Sequence, residues 1–116
     1  MNRANVGREA EVAAENILRA KSMTIIERNF QAKVGEIDIV AKDKDEIVFV
    51  EVRLRSSLTF GGAAASVDRA KRRKLIKAAH VWLQARSWTG PCRFDVVAWD
   101  LDHVEHIPSA FDAGSR

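Results

Sequence analysis

Two carboxylates, Asp38 and Glu51, stand among Ile and Val in the stretch GEIDIVAKDKDEIVFVEVRLR (residues 35–55), where a strand ordinarily carries apolar or neutral side chains. Apolar runs on either side of a charged centre read as a β-hairpin. If the chain turns at Lys44-Asp45, the numbers of paired residues total 89, and a four-residue loop from Asp43 to Glu46 keeps that total. Asp38 then faces Glu51, and Glu36 faces Arg53. Opposed side chains have Cβ atoms only ~4.5–5.5 Å apart, and like charges at that spacing destabilise a sheet. A divalent cation between the acids removes the repulsion. Mg²⁺ is content with one or two carboxylates, completing its octahedron with waters and phosphate oxygens. It can activate a water and neutralise a phosphate under attack, while Arg53 is placed to meet a phosphate oxygen. The same spacing also fits a solvated hairpin face with a Glu36–Arg53 ion pair and an incidental pair of acids. On spacing alone both readings stand.

A second feature is electrostatic. RAKRRKLIK (residues 69–77) contains six basic residues, Arg69, Lys71, Arg72, Arg73, Lys74 and Lys77, and no acid. Taken out of a net charge of +3, they leave the rest of the chain at −3. A mildly acidic body with one basic element suits a polyanion such as nucleic acid, although a charge run also serves as a plain solvated helix face. Other chemistry-bearing residues carry less. His80, His103 and His106 are too scattered for a zinc site and are expected at the surface, the last two in a late turn and an edge strand. Cys92, the only cysteine, has no nearby His to activate it. Trp82, Trp88 and Trp99 read as core or rim, with Trp88 exposed enough to stack on a base.

These groups need a scaffold. From Val6 to Lys21, Ala10, Ala13, Ala14, Ile17 and Leu18 recur at helical spacing, with Glu11 just outside the stripe beside Leu18. MTIIERNF (residues 23–30) is a β-like run ahead of the hairpin. SSLTFGGAAAS (residues 56–66) has loop character. A second helix is expected from Ser66, as N-cap, to Arg86, with Leu75, Ala78, Ala79 and Trp82 on its apolar side. CRFDVVAWD and VEHI close the chain as two strands. Along strand 47–55, Val48, Val50, Val52 and Leu54 share one face; Ile47, Phe49, Glu51, Arg53 and Arg55 share the other. The strand so turns polar on one face toward its end, where a buried strand delivers catalytic groups to a sheet margin. Helix, three strands, helix, two strands predicts an α/β fold: one mixed sheet with a right-handed parallel crossover, flanked by helices.

With 116 residues the chain suits one domain, expected over 1–116 with loose ends at 1–5 and 113–116. No apolar run approaches the ~20 residues of a membrane span, and the polar start is unlike a secretory signal. A cytoplasmic protein is expected, with no membrane partner.

GEIDIVA, VFVEVRLR, FGGAAASV, the lysine Lys71, RFDVVA and the closing HIPSAF together resemble the bacterial YraN family of small uncharacterised proteins, over roughly Gly7 to Phe111. That family resembles Holliday-junction resolvases and the wider restriction-endonuclease-like superfamily, whose motif is an Asp followed by Glu-x-Lys on the next strand. The resemblance implies a single restriction-endonuclease-like domain. It also implies a nuclease dependent on Mg²⁺ or Mn²⁺ that hydrolyses DNA phosphodiesters, branched DNA included. Asp38 matches the first acid of the motif and Glu51 the second, and Val52 would offer its carbonyl to the metal. Glu11, in GREAEVAA, matches the supporting acid on the first helix; by its residues alone it is an ordinary surface glutamate. Arg53 stands where the motif has lysine. It stays charged and cannot act as a base, yet it can clamp phosphate or stabilise a transition state. The catalytic set is then Glu11, Asp38, Glu51 and Arg53, with Arg55, Arg69, Lys71, Arg72, Arg73 and Lys74 on the nucleic acid. Resolvases make paired cuts as symmetric dimers, so a homodimer is implied by analogy. Two alternatives remain: the same fold binding nucleic acid without turnover, and an adaptor that contacts protein through FGGAAAS and the final hairpin.

Overall fold

The computed structural model describes residues 3–54, 67–99 and 103–112, with side chains from residue 7 onward. Along the chain run α1 (Arg3–Ala20), β1 (Thr24–Ala32), β2 (Gly35–Asp43), β3 (Glu46–Leu54), α2 (Arg69–Ala85), β4 (Cys92–Trp99) and β5 (Val104–Phe111). The strands form one sheet in the order β1-β2-β3-β4-β5. All neighbours are antiparallel except β3 and β4, which are parallel and have α2 between them in the chain. This is the expected α/β architecture, a single restriction-endonuclease-like domain with a central mixed sheet flanked by helices.

Alternation along β3 sorts the core onto two faces. Ile47 and Phe49 pack with Leu75, Ala78, Ala79 and Trp82 of α2 and with Phe94 and Val96. Phe49 meets Trp82 edge-on at 5.7 Å and stacks on Phe94 at 5.5 Å. Val48 and Val50 pack on the opposite face with Ala14 and Leu18 of α1 and with Val97. Between β2 and β3 the turn is the two-residue Lys44-Asp45, with Lys44 in the left-handed region (φ 56°). From Asp43↔Glu46 to Ile39↔Val50 the pairing keeps the predicted total of 89.

Element ends differ from expectation at β5, which runs past the expected VEHI to Phe111, and at the starts of both helices. Helix α1 already begins at Arg3, so part of the end expected to be loose is helical. Helix α2 is capped by Asp68 and not by Ser66: Asp68 is extended, and its carboxylate accepts the Lys71 N–H at 2.9 Å. A carboxylate satisfies an orphan N–H and complements the positive end of the helix. Ser66 itself, Arg55, FGGAAAS, the turn at 100–102 and the end at 113–116 lie outside the described residues.

A buried polar network crosses the α1 face of the sheet. Asp95 is fully buried. Arg93 grips it through Nε and Nη2 at 3.0 and 3.2 Å, and reaches Asp43 and Glu46 through Nη1 at 3.0 Å each. The Ser109 N–H donates to Asp95 at 2.9 Å, and His106 Nε2 lies 2.7 Å from it. Lys21 Nζ, which can only donate, sits 2.7 Å from His106 Nδ1. His106 therefore accepts at Nδ1 and donates from Nε2. Its strand is the sheet edge, as expected, but its side chain is 2% exposed and not at the surface. Burial alone would raise the Asp95 carboxyl. The hydrogen bonds from His106, Arg93 and Ser109, with the charge of Arg93, hold it below its ordinary value instead.

Asp95→Ala is expected to cost about 3–5 kcal/mol, since it strands buried partners without their anion; urea unfolding at neutral pH measures it. The folded carboxyl is depressed, so its contribution is present above the unfolded value and lost as pH falls through the folded one. The gap between variant and wild type should close in acid, and a gap constant with pH would exclude the carboxylate as its source.

Candidate active site

The β2–β3 ladder stops at Ile39↔Val50, although both strands continue. Beyond that pair β2 stays with β1 (Phe30↔Ile37, Gln31↔Glu36, Ala32↔Gly35), while β3 stays with β4 from Glu51↔Val96 to Leu54↔Trp99. The sheet opens as a fork. At its root β1 and β2 both roll over. Arg28 bonds Glu15 of α1, whereas Phe30 packs on the α2 side; Ile39 packs on the α1 side, whereas Ile37 packs on the α2 side. Asn29, at the roll, takes φ 52°, a conformation Asn tolerates better than most residues. The register is the same before and after, Arg28↔Ile39 and Phe30↔Ile37, so only the aim of the side chains changes. The β1–β2 prong rests on α2: a Cβ on Gly35 would meet the Lys74 carbonyl oxygen at 3.0 Å, so the β1–β2 turn lies directly on the helix.

Asp38 sits at that root. Its Oδ2 accepts the Val52 N–H at 2.8 Å. It also lines a cavity of about 90 Å³ with Gly7, Ala10, Glu11, Val52 and Leu54. Burial first, and then the charge of Glu51, push the Asp38 carboxyl up to about 7, against the opposing pull of the Val52 N–H and the Lys71 ammonium. The ladder does not pair Asp38 with Glu51 as expected, but the charge of Glu51 still reaches the Asp38 carboxyl. The Glu36–Arg53 ion pair of the solvated reading has been replaced: Glu36 accepts from Gln31 at 2.8 Å, and Arg53 Nη1 donates to Glu51 at 3.4 Å.

Glu51 is 4% exposed and is approached by two cations at the same oxygen. Arg53 comes from its own strand, two residues on, and Lys71 Nζ comes from the first turn of α2 at 3.6 Å. Lys71 lies one turn ahead of Leu75 on the buried stripe of α2, which extends that stripe over the end of β3. Among the residues expected to grip nucleic acid, Lys71 thus points to the acids. Arg72 donates to the Val67 carbonyl at 2.8 Å, and its guanidinium lies over the Phe111 ring at 5.4 Å. Arg69, Arg73, Lys74 and also Lys77 are exposed. Arg55 is outside the described residues.

Glu11 comes in from α1. Asn29 Nδ2 donates to it at 3.5 Å; burial, followed by the charge of Asp38, raises its carboxyl above the ordinary value. It shares the cavity with Asp38 on the α1 side of the sheet, whereas Glu51, Arg53 and Lys71 gather on the α2 side. Val52 is tied to Asp38 through its N–H and lines the same cavity.

Among the described residues no group of three or more His, Cys, Asp or Glu side chains is arranged to hold a metal ion. Among the described side chains the donor set is the Asp38–Glu51 pair, which suits Mg²⁺ or Mn²⁺ when waters and phosphate complete the shell. The elevated Asp38 carboxyl fits that use: the fork resists a second negative charge, and a dication would relieve it. The residues present fit the group.

The family model of uncharacterised protein family UPF0102 matches residues 10–99. The chain is 46% identical over 111 residues to a UPF0102 protein of Hahella chejuensis, covering 92% of this chain and 90% of that one. It is 49% identical over 111 residues to a UPF0102 protein of Methylobacillus flagellatus, covering 93% and 97%. A UPF0102 protein of Janthinobacterium sp. is 45% identical over 107 residues, covering 92% and 87%.

Asp38→Asn retains an acceptor for the Val52 N–H and removes the charge. The folded carboxyl is raised, so its ionisation penalty is absent below about 3.8, grows with pH and is complete above about 7. In chelator, the variant should melt several degrees above wild type near pH 8 and lose that advantage as the pH falls towards 4. A variant less stable near pH 8 would mark Asp38 as a purely structural carboxylate.

Proposed function

The chain belongs to uncharacterised protein family UPF0102, the YraN family of the resemblance above, and from the fork we propose that it is a metal-dependent nuclease hydrolysing DNA phosphodiesters, branched DNA included. One observation carries this reading: two acids from diverging strands stand close enough at a buried sheet margin for the charge of Glu51 to raise the Asp38 carboxyl, with cations beside Glu51. A structural ion pair would match opposite charges; this site brings like charges together and leaves one carboxyl titrating near 7.

In the proposed reaction a water oxygen bonds phosphorus and the bond to one sugar oxygen breaks. The water gives a proton to solvent, and the departing oxygen takes one up. Asp38 and Glu51, with the Val52 carbonyl, would hold Mg²⁺ or Mn²⁺, which supplies an activated water and neutralises phosphate charge. Arg53 stays charged through the cycle and stabilises the negative charge that builds on the phosphoryl oxygens. Glu11 faces Asp38 across the cavity and orients it. Arg69, Arg73, Lys74 and Lys77 present exposed cations to the DNA backbone, with Arg55 assigned to the same surface. Paired cuts across a junction call for two copies, so a homodimer is part of this proposal.

A second reading has its own observation. Glu51 already has Arg53 and Lys71 as counter-charges, so the fold can stand without metal and bind DNA without cutting it. Cleavage of junction, flap, single-stranded and duplex DNA with Mg²⁺ or Mn²⁺ separates the two. Metal-dependent cutting that Asp38→Ala lacks is expected; binding without cutting in every condition would leave the binding module. Separately, Arg73→Ala should lower the slope of log affinity against log salt by about 0.9, one phosphate contact. An unchanged slope would move the DNA surface away from α2.

A further inference from the structure

Six basic residues on α2 look alike in the sequence, but the structure gives one of them a different environment. Arg69, Arg73, Lys74 and Lys77 are exposed, and Arg72 is engaged with Val67 and Phe111. Lys71 alone of the six brings its cation to Glu51, at 3.6 Å. Its backbone is fixed, because its N–H is bonded by the Asp68 cap at the first turn of the helix. Its side chain is 35% exposed, against 5% for Glu51, so the ammonium spans from the buried acid to open solvent.

We propose that Lys71 is a catalytic residue: it neutralises Glu51 in the metal-free protein and turns to a non-bridging oxygen of the scissile phosphate once Glu51 ligates a divalent cation. This rests on the nuclease reading above. Arg53 and Lys71 share the same Oε2 of Glu51, the site of a prospective dication. Three positive centres around one carboxylate repel, so one must yield. Arg53 is planar, five-donor and rooted on the strand itself. Lys71 is a compact charge on a flexible four-carbon stem with three rotatable donors, and it is the group that moves. A phosphate held at the fork lies within the sweep of an ammonium that already reaches Glu51. Its donated hydrogen bond stabilises charge as that charge develops on the oxygen. The exposed cations Arg69, Arg73, Lys74 and Lys77 grip the backbone, whereas Lys71 acts at the bond that breaks.

Two measurements on wild type, Lys71→Met and Lys71→Arg test this, with thermal melts to confirm that each variant folds. Titration of Mn²⁺ without DNA should show Lys71→Met binding about tenfold more tightly than wild type, since a competing cation has gone. In cleavage with Mn²⁺, Lys71→Met should lose about 100-fold or more in kcat with KM nearly unchanged, and Lys71→Arg should recover part of it. If Lys71→Met keeps kcat and raises KM, Lys71 is one more backbone contact and the proposal falls while the nuclease reading stands. Equal Mn²⁺ affinity in wild type and Lys71→Met overturns it too, even where no substrate has been found. Wild type that neither binds Mn²⁺ nor cuts removes the nuclease reading, and this proposal with it.

Discussion

Once β2 and β3 part, the Val52 N–H has no backbone acceptor on β2, and a buried N–H left unmatched costs about 1–3 kcal/mol. Asp38 supplies the acceptor at 2.8 Å. That single bond closes the root of the fork where the ladder cannot. It also holds the Asp38 carboxyl at the cavity it lines with Glu11, within reach of the charge of Glu51. A carboxylate used this way resists replacement by an apolar residue, even if its charge is unwelcome in the metal-free protein. The geometric need and the chemical use fall on the same side chain.

Among the described residues, the charge at the fork is balanced from one face. Arg53 and Lys71 both approach Glu51 on the α2 side. On the α1 side Asp38 meets another acid, Glu11, whose own carboxyl is raised by burial and by Asp38. The more negative side is therefore toward α1, and the cations stand toward α2, whose exposed row is basic. An anionic ligand arriving along α2 meets cations first and the acids behind them. That order suits a phosphate carried in to a metal, and it would be a poor design for an exposed pair of acids meeting DNA directly.

Much of this was legible in the residues. The Ile/Val alternation and the Lys44-Asp45 turn specify the hairpin and its register as far as Ile39↔Val50. The stripes of α1 and α2 specify which helix faces stack on the sheet. What alternation could not show is where pairing ends, because apolar periodicity reports burial and not the partner. Extending the same register placed Glu36 against Arg53, three positions past the end of the ladder. The roll at Asn29 left only a weak mark, an Asn inside an otherwise β-like run. Asp95 sits in RFDVVA among apolar neighbours, a sign of burial, and the partner that explains it, His106, is on the next strand. For Lys71 the signal was present: it is four residues ahead of Leu75, on the buried stripe. A run of six cations concealed it by making every member look like surface.

Alpha-helix periodicity thus divides a basic run that composition treats as uniform. On α2 the stripe of Leu75, Ala78, Ala79 and Trp82 is buried, and the positions a turn earlier on that stripe must either be apolar or reach past the edge of the sheet. The fork provides that edge, because the prong carrying β2 has moved away to rest on Lys74 at Gly35. A lysine at position 71 is therefore long enough to leave the core and is aimed at the one buried carboxylate beyond it. An apolar side chain there would cover Glu51 with nothing to answer its charge, which for a carboxylate 4% exposed is the more expensive arrangement. The parting of two strands, the approach of two acids and the inward turn of one lysine are in this sense a single structural event, since each leaves a need that the next one meets.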